Sequence, residues 1–251
     1  DKLGLNLPGL QEELLETVTA VGKPVVLVIS AGSALDLSWA DAHVAAIIDS
    51  FYPGARGGKA VAEAIFGDFS PSGKLPVTFY QGTENLPEFT DYDMSDRTYR
   101  YTDKNVLYPF GYGLHYGTIR YENAQISCAQ CSVRDAVDVS VDVINESSYT
   151  IHESVQAYIQ HEEADAYEPG YQLKGIQTVT LQPKETKRVT ISLKARDFAI
   201  ITQEGECVVR PGSYRIAIGG QQPDARSAKL TGSDVAALVV RREGAQTPVE
   251  Y

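Results

Sequence analysis

The sequence has no long hydrophobic run and no excess of basic residues. No apolar stretch approaches the roughly 20 residues that a membrane-spanning helix needs, which predicts a soluble, globular protein. The net charge is −11, and the chain lacks the clustered Lys and Arg that attract phosphate groups. Nucleic acids and anionic membranes are therefore not expected as partners. An acidic surface suits a neutral ligand such as a sugar, although it also serves general solubility.

Cysteine is scarce as well. Cys128, Cys131 and Cys207 are an odd number in a chain large enough to build a core, which argues against a secreted disulfide scaffold and leaves at least one thiol free. The Cys-Ala-Gln-Cys segment that begins at Cys128 has the spacing of a zinc half-site or a redox pair. No second Cys or His pair at ligand spacing accompanies it. We expect no metal and no cofactor.

The chain also lacks an initiator methionine, because it opens with Asp1 and its one methionine is Met94. It does not begin with the charged and then apolar segment of a secretion signal. We interpret it as a piece of a longer protein. Its localisation stays open, with the bacterial cytoplasm and the periplasm both plausible.

Residues 1–117 have the pattern of an α/β domain. Apolar side chains recur at helical spacing in three segments, residues 9–21, 40–51 and 57–66. The β-branched run at residues 25–29 predicts a strand buried on both faces of a parallel sheet. Residues 75–79 predict a shorter strand, which Pro76 places at a sheet edge or at a strand start.

Between residues 80 and 116 this periodicity fails, and Gly, Pro, Asp and aromatic residues dominate. Long loops of this kind are usually kept for function or for joining domains. The aromatic residues are Tyr92, Tyr99, Tyr101, Tyr108, Phe110, Tyr112 and Tyr116. Such rings either stack on sugar faces or wedge a loop against a core, and the residues alone favour the second reading.

From about residue 121 the pattern changes to a period of two. The valines at 137, 139, 141 and 143 predict a half-buried strand, and further strands are predicted at residues 153–160, 175–181, 186–193 and 212–218. Short strands at this spacing predict an all-β immunoglobulin-like sandwich, which we assign to residues 118–220. Residues 221–251 are predicted to be a weakly structured C-terminal tail.

Residue types alone select no catalytic group. A glycosidase needs two carboxyl groups that flank one bond, and the 33 acidic residues do not single out a pair. Ser30-Ala-Gly-Ser33 is not a nucleophile elbow, and Gly54-Ala-Arg-Gly-Gly58 lacks the Lys-Ser/Thr of a phosphate-binding loop. None of the four histidines lies in a metal motif. An independent enzyme is therefore unsupported.

Two long motifs carry more information. Residues 52–79 contain Tyr-Pro-Gly, paired glycines, Gly-Asp and Pro-Ser-Gly-Lys-Leu-Pro, and residues 107–114 read Leu-Tyr-Pro-Phe-Gly-Tyr-Gly-Leu. In this order they closely resemble the α/β sandwich domain of glycoside hydrolase family 3. Residues 137–219 resemble that family's fibronectin type III-like domain. The segment at residues 89–101 resembles the β-xylosidase and arabinofuranosidase subgroup more than the β-glucosidases.

The resemblance implies part of a retaining, exo-acting hydrolase, such as a β-xylosidase, that removes terminal β-linked sugars from plant oligosaccharides. In that family an Asp of a preceding (β/α)8 barrel is the nucleophile, and a Glu of the sandwich is the acid/base. Neither is matched, because the opening residues resemble the segment just after the acid/base loop. We expect no catalytic residue in this chain, which alone should be inactive. Its partners would be the barrel and the first part of the sandwich, on the same polypeptide or a second chain.

Part of the lining of the sugar-binding site could lie on this chain. Arg97, Tyr99 and Arg100, together with Tyr52 and Arg56, are the residues that we expect near the sugar or at the domain interface. Arg supplies fixed donors to hydroxyl groups, and Tyr supplies a stacking face. In the alternative, the arginines pair with loop aspartates and the rings pack beneath the loop. A stand-alone carbohydrate-binding or domain-interaction module is the second hypothesis. Absence of the barrel predicts an exposed docking face, which would also allow a homo-oligomer.

Overall fold

A computed structural model of the chain describes residues 4–84, 86–102, 104–165 and 167–249. Residues 1–3 of the opening segment and 250–251 of the predicted tail lie outside the described residues. The first domain contains the helices α1 (Gln11–Thr19), α2 (Ser38–His43), α3 (Gly57–Phe66) and α4 (Thr98–Tyr101) and the strands β1 (Val26–Ile29), β2 (Ala46–Asp49), β3 (Phe79–Tyr80) and β4 (Val106–Tyr108).

The first domain is built around two small sheets. Strands β1 and β2 pair in parallel, from Val26 opposite Ala46 to Ile29 opposite Asp49, and β3 pairs with β4 in antiparallel orientation. Helix α1 ends at Thr19, and Gly22 then takes a φ of +75°, a conformation that glycine adopts without steric cost. The buried core consists of Leu15, Ile29, Leu35, Leu37, Ala40, Phe79 and Leu107.

The predicted helix over residues 40–51 was wrong. Helix α2 ends at His43, and Ala46–Asp49 form β2. Val44, Ile47 and Ile48 have helical spacing, but periodicity cannot separate a short apolar strand from a helix. Pairing with β1 decides the conformation, because it satisfies the backbone groups with which the two strands face each other.

Two strand predictions in the first domain also need correction. Residues 75–79 are mostly irregular, and the strand begins only at Phe79, after Pro76. Strand β1 is not buried on both faces, because Val26 and Val28 are partly exposed. The predicted helices α1 and α3 are confirmed.

The second domain is a sandwich of two main sheets. Its strands are β5 (Ile119–Ile126), β6 (Gln130–Ser132), β7 (Val137–Asn145), β8 (Ile151–His161), β9 (Gln172–Leu181), β10 (Thr186–Leu193), β11 (Ile200–Ile201), β12 (Cys207–Val209), β13 (Gly212–Gly219), β14 (Ala236–Glu243) and β15 (Thr247–Pro248), with a 3-10 helix at Ala195–Phe198. One sheet has the order β10-β7-β5 and the other β6-β14-β13-β8-β9. The predicted alternation is confirmed, since Val137, Val139, Val141 and Val143 all lie in the core.

The prediction of a weakly structured tail was wrong. Helix α5 (Ala225–Thr231) follows residue 220, and its N-terminus is capped by the Asp224 side chain. Strand β14 then lies between β6 and β13, with Val240 fully buried. Scattered polar residues hide this strand in the sequence, because its outward positions include Arg241 and Glu243.

Where one domain ends and the next begins stays a prediction. In the described part of the chain, no helix is long and apolar enough to cross a membrane.

Candidate functional site

The two long motifs meet in the structure and form one paired segment. The Leu75 N–H donates to the Tyr112 carbonyl at 2.8 Å, and the Gly111 N–H donates to the Leu75 carbonyl at 2.7 Å. A Cβ on Gly113 would lie 2.0 Å from the Gly73 carbonyl oxygen. Glycine is required at position 113 because the two backbones approach too closely for any side chain.

This paired segment rests on the β-sandwich. The Gln156 side-chain amide on β8 donates to the Gly111 and Gly220 carbonyls, both at 3.1 Å, and the Tyr158 hydroxyl donates to Gln156 Oε1 at 2.6 Å. A Cβ on Gly111 would lie 2.5 Å from Gln156 Oε1. The motif is therefore a joint between the domains.

A buried ionic cluster lies at the same joint. Glu153 on β8 is 1% exposed, and its carboxylate lies 3.2 Å from Lys74 Nζ and 3.3 Å from His115 Nε2. Burial alone would raise the pKa of Glu153, but the His115 hydrogen bond and the Lys74 charge outweigh it and lower that pKa. The three side chains line a cavity of about 180 Å³ between the domains. A carboxylate held ionised by the Lys74 charge and the His115 hydrogen bond is suited to stabilising the joint rather than to exchanging protons.

Arg97 organises the long loop from within. Its guanidinium donates to the carbonyls of Glu88 and Asp91, both at 2.7 Å, and to that of Asp93 at 3.2 Å. Asp91 and Asp93 in turn accept from backbone N–H groups two residues further on. The donors of Arg97 are thus used on backbone carbonyls rather than on a loop carboxylate.

Tyr99 lies between the two domains. Its ring stacks on Phe110 with 4.2 Å between the centroids, meets the edge of Tyr158, and its hydroxyl accepts from the Leu173 N–H at 3.1 Å. Arg100 is exposed and lies over the Tyr99 ring, with its guanidinium carbon 5.9 Å from the ring centroid. These contacts place the Tyr99 ring between the α/β domain and the sandwich of this chain.

Tyr52 and Arg56 lie elsewhere, on the segment that leads into α3. Tyr52 is exposed, and its ring covers Gly32, whose Cβ would lie 2.4 Å from that ring. Arg56 is exposed at the start of the helix. Arg97 precedes the short helix α4, which carries Tyr99 and Arg100, and the other two residues lie apart from them. A sugar-binding role for any of the five stays a prediction.

Two exposed features were not selected from the sequence. Phe89 and Tyr92 are each 90% exposed on the loop that Arg97 organises. Helix α1 and the residues that flank it expose an apolar stripe, formed by Leu10, Leu14, Val18 and Val21 at 45–76% exposure. The stripe was visible as helical periodicity, but periodicity does not say which domain covers it. Among the described residues, no group of three or more His, Cys, Asp and Glu could hold a metal ion.

Comparison with known families decides the identity. Residues 1–116 match the glycosyl hydrolase family 3 C-terminal domain, and residues 153–222 match a fibronectin type III-like domain. The chain belongs to glycoside hydrolase family 3. The predicted family and fold, a partial α/β sandwich followed by a fibronectin type III-like sandwich, are confirmed.

Curated relatives of this family 3 chain are glycosidases. A β-xylosidase from Formosa agariphila is 34% identical over 92% of the chain and 33% of the relative. A xylan 1,4-β-xylosidase from Xylanibacter ruminicola is 35% identical over 92% of the chain and 26% of the relative. A periplasmic β-glucosidase from Salmonella typhimurium is 32% identical over 87% of the chain and 30% of the relative. The chain thus spans about a third or less of these relatives' lengths.

Solved structures have the same architecture. A β-glucosidase from Erythrobacter marinus aligns with a TM-score of 0.81 at 34% identity, over 97% of this chain and 31% of that one. A β-glucosidase from Listeria innocua in complex with glucose aligns with a TM-score of 0.81 at 27% identity, over 96% of this chain and 34% of that one. The family 3 chain therefore corresponds to a fraction of each enzyme.

Proposed function

We propose that this chain is the C-terminal portion of a retaining, exo-acting β-xylosidase that removes terminal β-linked sugars from plant oligosaccharides. The proposal rests on the exposed apolar stripe along α1, in a chain that spans about a third or less of the length of its relatives. Two relatives are named β-xylosidases, which favours xylosides as substrates. A third relative is named a β-glucosidase and does not support that preference. The catalytic Asp and Glu would lie on the portion that precedes this chain.

The first sheet supports an incomplete domain. Parallel sheets are normally covered on both faces, and a two-stranded sheet is marginal alone. Strands β1 and β2 form such a sheet, and among the described residues neither has a second strand beside it. Burying Leu10, Leu14 and Val21 beneath a preceding segment would contribute about 1.5–3 kcal/mol for each side chain. The preceding part of the sandwich is the natural occupant of this surface.

The long loop gives this portion a role beside the barrel. Arg97 holds the backbone from Glu88 to Asp93, so Phe89 and Tyr92 project from an ordered loop. A flat ring can stack on a sugar ring or pack on the barrel rim with little loss of side-chain entropy. We assign Phe89 and Tyr92 to the wall of the site or to the barrel interface, with Arg97 as a positioning residue.

Reconstitution tests the proposal. The chain is co-expressed with the preceding, barrel-bearing portion of its parent protein, and hydrolysis of an aryl β-xyloside and an aryl β-glucoside is measured. We expect activity only in the complex and a higher kcat/KM for the xyloside. Leu14→Asp should abolish assembly and activity. Ile176→Asp, at an exposed apolar position on β9, should change neither. Hydrolysis by the chain alone, or assembly unaffected by Leu14→Asp, would contradict the proposal.

A carbohydrate-binding module is the second candidate. The exposure of Phe89 and Tyr92 on a braced loop favours it, because such rings are typical sugar-stacking platforms. It predicts that the isolated chain binds xylo-oligosaccharides in titration calorimetry. The double variant Phe89→Ala/Tyr92→Ala would lose that binding, and Tyr149→Ala, an exposed tyrosine of the sandwich, would retain it. No heat of binding at millimolar oligosaccharide would eliminate this candidate.

A further inference from the structure

The Cys-Ala-Gln-Cys segment lies where the chain passes between the two sheets of the sandwich. Strand β5, which ends at Ile126, belongs to the β10-β7-β5 sheet, and β6, which begins at Gln130, is the edge strand of the five-stranded sheet. Cys128 therefore lies in the connector between the two sheets, and Cys131 lies on β6. A covalent bond between them would fix this connector to the start of the edge strand.

The two thiols are neighbours. Both cysteines pack against the sandwich core while remaining partly exposed, and Cys128 lies close enough to Cys131 to act on the pKa of its thiol. The i, i+3 spacing suits a turn, whose ends come close enough for the Cα separation of a disulfide. Cys207 lies apart, at the start of β12. A metal is not favoured here, because no group of three or more ligands occurs in the described ranges.

Arg242 on β14 gives this pair an unusual environment. The side chain is fully buried, and its guanidinium donates to the Cys131 sulfur at 3.5 Å and to the carbonyls of Val133 and Asp135 at 2.9 and 2.8 Å. Its carbon lies 4.2 Å from the Phe198 ring centroid. A guanidinium beside a sulfur stabilises the thiolate, which is the form that attacks a disulfide.

We propose that Cys128 and Cys131 are a thiol–disulfide pair whose oxidised form staples the crossing between the two sheets of the sandwich. The oxidant is a small-molecule or protein disulfide, such as oxidised glutathione. One cysteine thiolate attacks the oxidant and forms a mixed disulfide, and the other cysteine displaces the second oxidant thiol as the Cys128–Cys131 S–S bond forms. The pair loses two electrons and two protons, and the oxidant becomes two thiols.

Burial and the hydrogen bond to Cys128 raise the pKa of the Cys131 thiol, and the Arg242 charge opposes that shift. The staple has a mechanical use, because β6 is a short edge strand whose ladder with β14 has three residue pairs, from Gln130 to Ser132. A short edge strand opens more readily than a central one, and a covalent link across the crossing limits that opening.

Oxidation of the 251-residue chain with excess oxidised glutathione, alkylation of the remaining thiols and trypsin digestion test this inference. Both cysteines fall in one tryptic peptide, residues 121–134. We expect that peptide to be lighter than its reduced form by two hydrogen atoms and unalkylated, with Cys207 alkylated. We also expect Tm to rise by roughly 4 °C, from the entropy of closing a short loop.

Single variants separate the staple from general thiol chemistry. Cys128→Ser and Cys131→Ser should each eliminate the rise in Tm, and Cys207→Ser should retain it. Full alkylation of the peptide after oxidation, a persistent glutathione adduct on it, or a rise in Tm that survives Cys128→Ser would each overturn the proposal.

Discussion

Gln156 and Gly111 meet across the boundary between the α/β domain and the sandwich, where the Gln156 amide donates to the Gly111 carbonyl at 3.1 Å. Gly111 belongs to the Tyr-Pro-Phe-Gly-Tyr-Gly motif by which the family is recognised. The adjacent Lys74–Glu153–His115 cluster comes from both domains as well. The most distinctive sequence of this chain therefore serves to hold two domains in a fixed orientation.

Replacing Gly111 with alanine should destabilise the protein more than the same change at Gly67. Both glycines have nearly the same conformation, with φ of +76° and +78°, but a Cβ at Gly67 meets nothing within 4 Å. We expect Gly67→Ala to cost about 1–2 kcal/mol for the left-handed backbone alone. Gly111→Ala should cost roughly 1–3 kcal/mol more, because its Cβ displaces Gln156. Urea unfolding measures both, and equal losses would refute the tight joint.

Tyr99 should behave as an interface residue in stability measurements. Tyr99→Ala removes the ring between Phe110 and Tyr158 and should lower the free energy of unfolding by roughly 3 kcal/mol. Tyr99→Phe removes only the hydrogen bond from Leu173 and should cost about 1 kcal/mol. Tyr92→Ala, at a ring that is almost fully exposed, should stay within about 0.5 kcal/mol of the wild type. A larger loss for Tyr92→Ala than for Tyr99→Ala would reverse the assignment.

The sandwich was largely predictable, whereas the contacts of the site were not. Alternation at residues 137–143 identifies a strand because each inward position is valine. The helix prediction for residues 40–51 was wrong because the spacing of the apolar residues there fits a helix and a strand equally. Tyr99 and Leu173 are 74 positions apart, so no local pattern links them. Arg97 was selected for its chemistry, but its bonds to three backbone carbonyls follow from the path of the loop.

Acid should weaken the joint through Glu153. Its pKa in the folded protein is lowered from an ordinary value of 4.5. Because this pKa is lowered, ionised Glu153 stabilises the fold at pH values above 4.5. This contribution is lost as the pH falls through the lowered pKa of the folded protein. Glu153→Gln should cost about 3 kcal/mol at neutral pH, because Lys74 loses its buried partner. The difference in unfolding free energy between wild type and variant should shrink below pH 4.5. A difference independent of pH would contradict the ionised cluster.

Arg97 should control the order of the loop without controlling global stability. Arg97→Lys keeps the charge but loses the fork that reaches the carbonyls of Glu88, Asp91 and Asp93. We expect amide hydrogen exchange in residues 86–97 to accelerate by at least about tenfold, with an unchanged Tm. Arg100→Lys is the matched control and should leave exchange in that segment unchanged. Equal acceleration of amide exchange in both variants would show that Arg97 does not hold the loop in order.

An aryl-glycoside assay of the purified 251-residue chain alone tests the central claim most directly, namely that this chain is a non-catalytic portion of a family 3 glycosidase. The account predicts no turnover of β-xyloside, β-glucoside or α-arabinofuranoside above the uncatalysed rate, because the proposed function assigns the catalytic carboxylates to a portion of the protein other than this chain. Sustained turnover that copurifies with the chain and disappears on Asp→Asn or Glu→Gln substitution within it would contradict the account.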